Sequence, residues 1–159
     1  MQALAAEFNL SETTFVLPPA DPANTARVRI FNRKSEMPFA GHPNVGTGWV
    51  LAQQGRATFE EIAGLVEIDV TPELVTIAAP QPLSLGPEMP VELLANCVGL
   101  APGDIVVRAH RPVSASVGNS FVLAEVTGDA LTRAIPHLGR FSEAATQYTA
   151  MGPNRLPLY

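Results

Sequence analysis

With a single cysteine, the chain has no internal disulfide framework to rely on, and the apolar neighbours of Cys97 (Leu93, Leu94, Val98) mark a buried thiol. A reducing, cytoplasmic setting is therefore expected. Basic residues are scarce: ten Lys and Arg stand against fifteen Asp and Glu, a formal net charge of -5. That balance leaves no electrostatic footprint for nucleic acid or an anionic membrane, and neither partner is expected. No apolar run approaches the roughly 18 residues of a bilayer span, and no basic segment precedes an apolar stretch as in a secretory leader. The three histidines, His42, His110 and His137, share no ligand-like spacing, so no metal site is expected. Gly46-x-Gly48 lacks the rest of a dinucleotide fingerprint and no G-x-x-x-x-G-K-[ST] occurs, which excludes the usual nucleotide cradles. There is neither a short-period repeat nor a low-complexity tail.

What is present is a globular chain. Its 159 residues and 47% hydrophobic content can build a sizeable core, and disorder is not expected. Leu4 and Phe8, four residues apart, predict a helix over 2 to 8 with Asn9 as a left-handed cap. Strands are predicted over 13 to 17 and 27 to 32, joined through Pro18-Pro19-Ala20-Asp21-Pro22, where paired prolines end strand pairing. A meander follows over 57 to 62, 65 to 70 and 74 to 79, rich in β-branched residues. The stretch Pro80 to Pro90 breaks the pattern. Beyond it the sequence predicts a helix over 91 to 98, a link over 101 to 111, strands over 113 to 117 and 120 to 126, and helices over 129 to 135 and 142 to 150.

The densest information lies in Glu36-Met37-Pro38-Phe39-Ala40-Gly41-His42-Pro43-Asn44-Val45-Gly46. A strand, Arg27 to Phe31, alternates basic and apolar residues ahead of it; behind it Val45 to Leu51 reads as a helix with Pro43 near its first turn and Gly55 as its stop. His42 thus stands at a helix N-terminus, where free N–H groups and the helix dipole favour a carboxylate-bearing ligand. From Pro43 to Gln53 there is no charge, and two glycines, Gly46 and Gly48, each cost about 1 kcal/mol relative to alanine. A helix uncharged all round is normally buried all round, so a helix inside a curved sheet is expected; an ordinary helix buried on one sheet face is the alternative.

Two blocks of this sequence, in order, closely resemble the PhzF-like isomerases of phenazine biosynthesis. Glu36 to Gly46 resembles their E-x-P-F-A-G-H-P-x-x-G signature, and Met1-Gln2-Ala3-Leu4-Ala5-Ala6-Glu7-Phe8-Asn9-Leu10-Ser11-Glu12-Thr13-Thr14-Phe15-Val16 resembles their M-Q-x-I-A-x-E-x-N-L-S-E-T-x-F-V block. The resemblance implies an α+β, diaminopimelate epimerase-like fold, a mixed β-sheet wrapped around a central helix in each of two domains with the active site between them. It implies chemistry without metal or organic cofactor, on a small carboxylated substrate, with Glu12 and His42 as the catalytic residues. Family members run to nearly 300 residues, begin with a strand ahead of the M-Q block and carry a D-P-A-T-G-S motif in the second half; this sequence has neither. A partial member is therefore expected, with residues 1–106 as an N-terminal domain lacking its first strand and 107–159 as the beginning of an incomplete second domain. A sheet cut short there would leave Val122, Leu123 and Val126 uncovered, so a homodimer or larger homo-oligomer is expected.

Moving a proton between carbons needs a base, an acid, and donors for the developing charge. Glu12, with no adjacent cation, fits both proton roles; alone, it would read as a solvated acid at a turn. His42 can bond to substrate or shuttle a proton, though an isolated histidine beside a turn is more often structural. Gly41 permits close approach of a ligand to the backbone, and Asn44, where many members have threonine, either contacts substrate or caps the helix. Ser11 either contacts substrate or caps locally. Glu36 is expected to anchor its loop by accepting backbone N–H bonds. Ser114, Ser116, Gly118 and Asn119 line a cleft or form a hairpin turn. Three functions remain: a proton-moving isomerase, a catalytically incompetent homologue that binds a ligand or partner, and an oligomerisation module.

Overall fold

The computed structural model describes residues 1–52 and 54–147. The end of the helix expected over 142 to 150 lies outside them. The chain forms two compact units, Met1–Pro82 with Val117–Asn119, and Leu83–Ser116 with the described chain from Ser120 onward. The domain boundary expected at 106/107 falls within the second unit.

The first unit opens with α1 (Gln2–Phe8), ended by Asn9 in the left-handed region at φ 53° and ψ 29°, which asparagine tolerates better than most residues. β1 (Glu12–Leu17) and β2 (Ala26–Asn32) pair antiparallel, Glu12 opposite Asn32 and Leu17 opposite Arg27. β3 (Glu36–Met37) folds back onto β2. α2 (Gly41–Ala52) then carries the chain to β4 (Gly55–Glu61), which runs parallel to β2. A parallel neighbour cannot be reached by a tight turn, so α2 is an obligatory crossover. β5 (Gly64–Val70) and β6 (Val75–Ala78) follow antiparallel, giving the order β1-β2-β4-β5-β6 with β3 beside β2.

The sheet's inner face is written in alternation. Val66, Ile68 and Val70 are buried while Glu67 and Asp69 are exposed, and Ala26, Val28, Ile30, Ala57 and Phe59 continue the same core. Burying each of the larger side chains contributes about 1.5–3 kcal/mol. α2 lies against β1, β4, β5 and β6, so strands from both ends of the sheet reach it: a mixed sheet wrapped around a helix, as the sequence predicts. The helix is not buried all round, however. Asn44, Thr47 and Gly48 are buried, whereas Trp49 and Val50 are 51% and 71% exposed. Absence of charge excluded only a charged flank, and here the open flank is apolar.

In the second unit, β7 (Ser84–Glu88), β9 (Val113–Ser116) and β10 (Ser120–Leu123) form a sheet in the order β10-β9-β7, and β8 (Ile105–Val106) pairs with β11 (Glu125–Val126). α3 (Val91–Val98), α4 (Ala130–Arg133) and α5 (Leu138–Gln147) complete it. β7 lies inside the stretch read as a break in pattern. It is an edge strand whose pairing with β9 shifts register between Leu85 and Glu88, and that irregularity accommodates Gly86-Pro87. The strand expected over 120 to 126 divides in two because β10 and β11 have different partners. Two small cores form around Met89, Cys97 and Ala144 and around Ala95, Leu100, Ile105 and Ala130. Val122 and Val126, expected to be uncovered, pack against them, while Leu123 is 50% exposed. Cys97 is buried, and that burial pushes its thiol pKa up.

The two α2 glycines differ sharply in their surroundings. A Cβ on Gly48 would stand 2.7 Å from Ile68 Cγ2, whereas one on Gly46 would meet nothing within 4 Å. Gly46→Ala is expected to stabilise the protein by up to about 1 kcal/mol through helix propensity. Gly48→Ala should instead destabilise it, since overpacking costs about 1–3 kcal/mol and exceeds the same gain. Urea unfolding of the two variants beside the parent chain checks the opposite signs.

Candidate functional site

The approach to the site is pinned by an ion pair. Arg29 on β2 donates from Nε and Nη2 to the two carboxylate oxygens of Glu36 on β3, both at 2.7 Å. Its guanidinium also lies over the Phe31 ring, 5.1 Å from the centroid, and Phe31 meets Phe15 edge-on at 5.5 Å. The Arg29 guanidinium holds the Glu36 carboxyl below its ordinary pKa. Glu36 thus anchors its loop, but through a bidentate side-chain pair rather than by accepting backbone N–H bonds. Beyond this hairpin, Ala63 N–H donates to Pro38 O at 3.0 Å, tying the segment ahead of α2 to the β4–β5 turn.

α2 begins at Gly41, earlier than the helix predicted from Val45, so Gly41, His42, Pro43 and Asn44 form its first turn. Pro43 suits this position because first-turn N–H groups have no intrahelical acceptor. His42 is largely exposed, its side chain 75% accessible, and its Nε2 stands 2.9 Å from Oε2 of Glu12, whose side chain is only 3% accessible. The approach is close but off-axis. Glu12 Oε2 is buried and has no hydrogen bond of good geometry, so it keeps open acceptor capacity beneath the imidazole. One turn on, Thr47 Oγ1 donates to Pro43 O at 2.8 Å and lies 3.0 Å from Thr14 Oγ1. This contact sets the level of α2 against β1, with Glu12 and Thr14 on one face of the strand.

The other residues singled out by sequence distribute unevenly. Gly41 has only ordinary contact in store, since a Cβ there would lie 3.8 Å from Ile77 Cδ1; packing within the chain does not require glycine. Ser11 is exposed at the head of β1. Asn44 neither caps the helix nor reaches solvent: it is 0% exposed, and both polar atoms of its amide are buried without a well-formed hydrogen bond. Ser114 and Ser120 bond through their hydroxyls at 2.9 Å across β9 and β10, which favours the hairpin reading of that segment. Gly118 at its tip has φ +134°, and a Cβ would come within 2.9 Å of Pro80 Cγ, so both backbone and space demand glycine. His110 and His137 take no part. Among the described residues no cluster of three metal-ligating groups occurs, and no helix is long and apolar enough to cross a membrane.

Sequence reasoning missed Glu61. It ends β4, with both carboxylate oxygens buried and lacking a well-formed hydrogen bond. Burial pushes its pKa up to about 7, an effect the neighbouring Asn44 amide partly offsets. The available signal was alternation: Ala57, Phe59 and Glu61 fall on the same inner face.

Comparison with known proteins sets the sequence beside one family. The phenazine biosynthesis-like (PhzC-PhzF) family model matches residues 1–153. An uncharacterized isomerase of Mesorhizobium japonicum is 40% identical over 139 residues, covering 79% of this chain and 45% of the relative. The trans-2,3-dihydro-3-hydroxyanthranilate isomerase of Pseudomonas aeruginosa is 36% identical over 119 residues, 70% of this chain and 42% of the relative. A solved structure described as a predicted epimerase, also from Pseudomonas aeruginosa, aligns with a TM-score of 0.76 at 25% identity over 93% of this chain and 55% of that one. The chain spans less than half the length of these two curated relatives.

Proposed function

This chain belongs to the phenazine biosynthesis-like (PhzC-PhzF) family, and from that premise we propose that it serves as an isomerase moving a proton between carbons of a small carboxylated substrate. The observation that carries the reading is the 2.9 Å contact between Glu12 and His42 at the first turn of α2. Glu12 takes the proton as a C–H bond breaks, the electron pair remains on substrate as an enolate-like system, and the same carboxyl returns the proton to another carbon. Nothing is oxidised or reduced, so acid and base groups suffice and no metal or organic cofactor is required by the step. The exposed His42 and the first-turn N–H groups near Gly41 hold the substrate carboxylate, as a helix N-terminus favours. Ser11, exposed beside Glu12, contacts the substrate from the strand side. Nothing inside the chain explains Gly41 sterically, and close passage of a ligand does.

A catalytically incompetent, self-associating homologue is the second reading. One observation favours it: Leu4, Phe8, Trp49, Val50 and Leu51 are all exposed, more apolar surface than an isolated helix face usually presents to water. The two readings separate experimentally.

In the assembly in which the chain is active, Glu12→Gln should slow deuterium uptake from solvent into substrate carbon by about 10²–10⁴-fold, the usual worth of a general acid–base group. Trans-2,3-dihydro-3-hydroxyanthranilate, the substrate named for one relative, is the first probe, followed by proton NMR in D₂O. Exchange at the parental rate would remove Glu12 as the base. For the purified 159-residue chain, light scattering should give the mass of a dimer or larger, without turnover of the probe. A monomer that turns it over would sink the self-association and show that this length suffices.

A further inference from the structure

Four polar atoms on the first turn of α2 and the end of β4 are buried without well-formed hydrogen bonds, Oδ1 and Nδ2 of Asn44 and Oε1 and Oε2 of Glu61, and the Asn44 amide neighbours the Glu61 carboxyl. Their donor and acceptor inventory does not close while Glu61 is ionised. A carboxylate only accepts, and the amide offers N–H donors on one side and a carbonyl on the other. Asn44 Nδ2 can donate to one carboxylate oxygen, but Asn44 Oδ1 then faces an acceptor. One proton resolves all four atoms: the Glu61 O–H donates to Asn44 Oδ1, and Nδ2–H donates to the other Glu61 oxygen, closing a ring of two hydrogen bonds.

We propose that protonated Glu61 and Asn44 form a closed carboxylic acid–amide pair that locks the first turn of α2, with Gly41 and His42, onto β4. The pair is sealed: Asn44 is 0% exposed and neither Glu61 oxygen reaches solvent. Neither presents a side-chain polar atom to solvent, so both act as positioning residues, a role that rests on the reading of Glu12 and His42 as the site.

Burial raises the Glu61 pKa to about 7, so the proton is present below neutrality. The titratable residues on the surrounding elements are His42 on α2, Glu12 on β1, Arg27 and Arg29 on β2, Glu36 on β3, Arg56 and Glu60 on β4 itself, and Glu67 and Asp69 on β5; β6 has none. None of them contributes to the shift, which comes from burial against the opposing effect of the Asn44 amide. Arg27 acts instead on Glu60 and Glu36.

The sign of the linkage is definite. The folded pKa lies above the ordinary 4.5, so between these values unfolding releases a proton. Stability falls as pH rises through that window and levels off above about 7, the unfolding constant growing by up to about tenfold per pH unit. Glu61→Gln supplies an amide that makes the same two bonds without a proton. In the 159-residue chain, this variant should lack that part of the pH slope and keep its low-pH stability at pH 8, while Glu61→Ala loses stability throughout. With ¹³C-labelled glutamate, the Glu61 carboxyl of the parent chain should titrate near pH 7, and the Asn44 side-chain amide signals should show an inflection at that same midpoint that is absent from Glu61→Gln. A Glu61 carboxyl titrating below pH 5.5, a Glu61→Gln variant with the parental slope, or an Asn44 amide inflection that persists in that variant overturns the proposal. Should the variant not fold, the titration of the parent chain decides alone. None of these readings needs turnover, so failure of the pair and failure of the isomerase reading remain distinguishable.

Discussion

The architecture of the first unit depends on how closely α2 can approach β5. Because β2 and β4 run parallel, the chain must cross over, and the crossover has to be covered by the sheet it connects. The contact point is Gly48, whose missing side chain leaves room for Ile68. With alanine there, the Cβ would press on Ile68 and the helix or that side chain would have to shift. Thr47 serves the same end on the other side, since its hydroxyl is satisfied by Pro43 O and Thr14 Oγ1 and so adds a short polar contact without an open polar group. Placing the helix also places its first turn, and hence His42 over Glu12.

Most elements could be read from sequence because they follow a simple period or a local stop signal. α1 and its Asn9 cap, α3 with Gly99 behind it, and the meander of β4, β5 and β6 all appear where alternation or helical spacing put them. The failures have physical causes. β7 was hidden because Gly86 and Pro87 argue against a central strand, and only an irregular edge strand can carry them. The start of α2 was placed too late because Gly-His-Pro resembles a turn, although proline and free N–H groups are equally at home in a first helical turn. The exposure of Trp49 and Val50 could not be foreseen from an uncharged helix, since composition limits which flank is charged and says nothing about which is covered.

The site divides in the same manner. Glu12 and His42 were found through two blocks of sequence that resemble one family, and the structure brings their side chains into contact. Glu36 was recognised as an anchor, but its partner is Arg29, seven positions earlier and reached only once β2 and β3 pair. Asn44 was weighed as a cap or a substrate contact; its amide is buried and does not cap the helix. Glu61 escaped notice because an acidic residue beside another, in Glu60-Glu61, reads as a solvated end of a strand. Glu60 is indeed on the outer side, accepting from Ala20 and Asp21 N–H and from Asn24. Period two turns its neighbour inward.

Two carboxyl groups therefore flank one helical turn under different conditions of access. Above Glu12 stands His42, an exposed imidazole 2.9 Å from its carboxyl. The Glu61 carboxyl oxygens are buried as well, but beside the Asn44 amide, whose residue is 0% exposed. A group that exchanges protons with a substrate must be reachable by it, whereas a group that holds a turn in place works best where water cannot compete for its hydrogen bonds. On the proposed reading, neighbours rather than residue type assign Glu12, beneath the exposed His42, to the chemistry and Glu61, beside the buried Asn44, to the support. Two identical side chains can serve unlike tasks because β1 and β4 give them unlike neighbours.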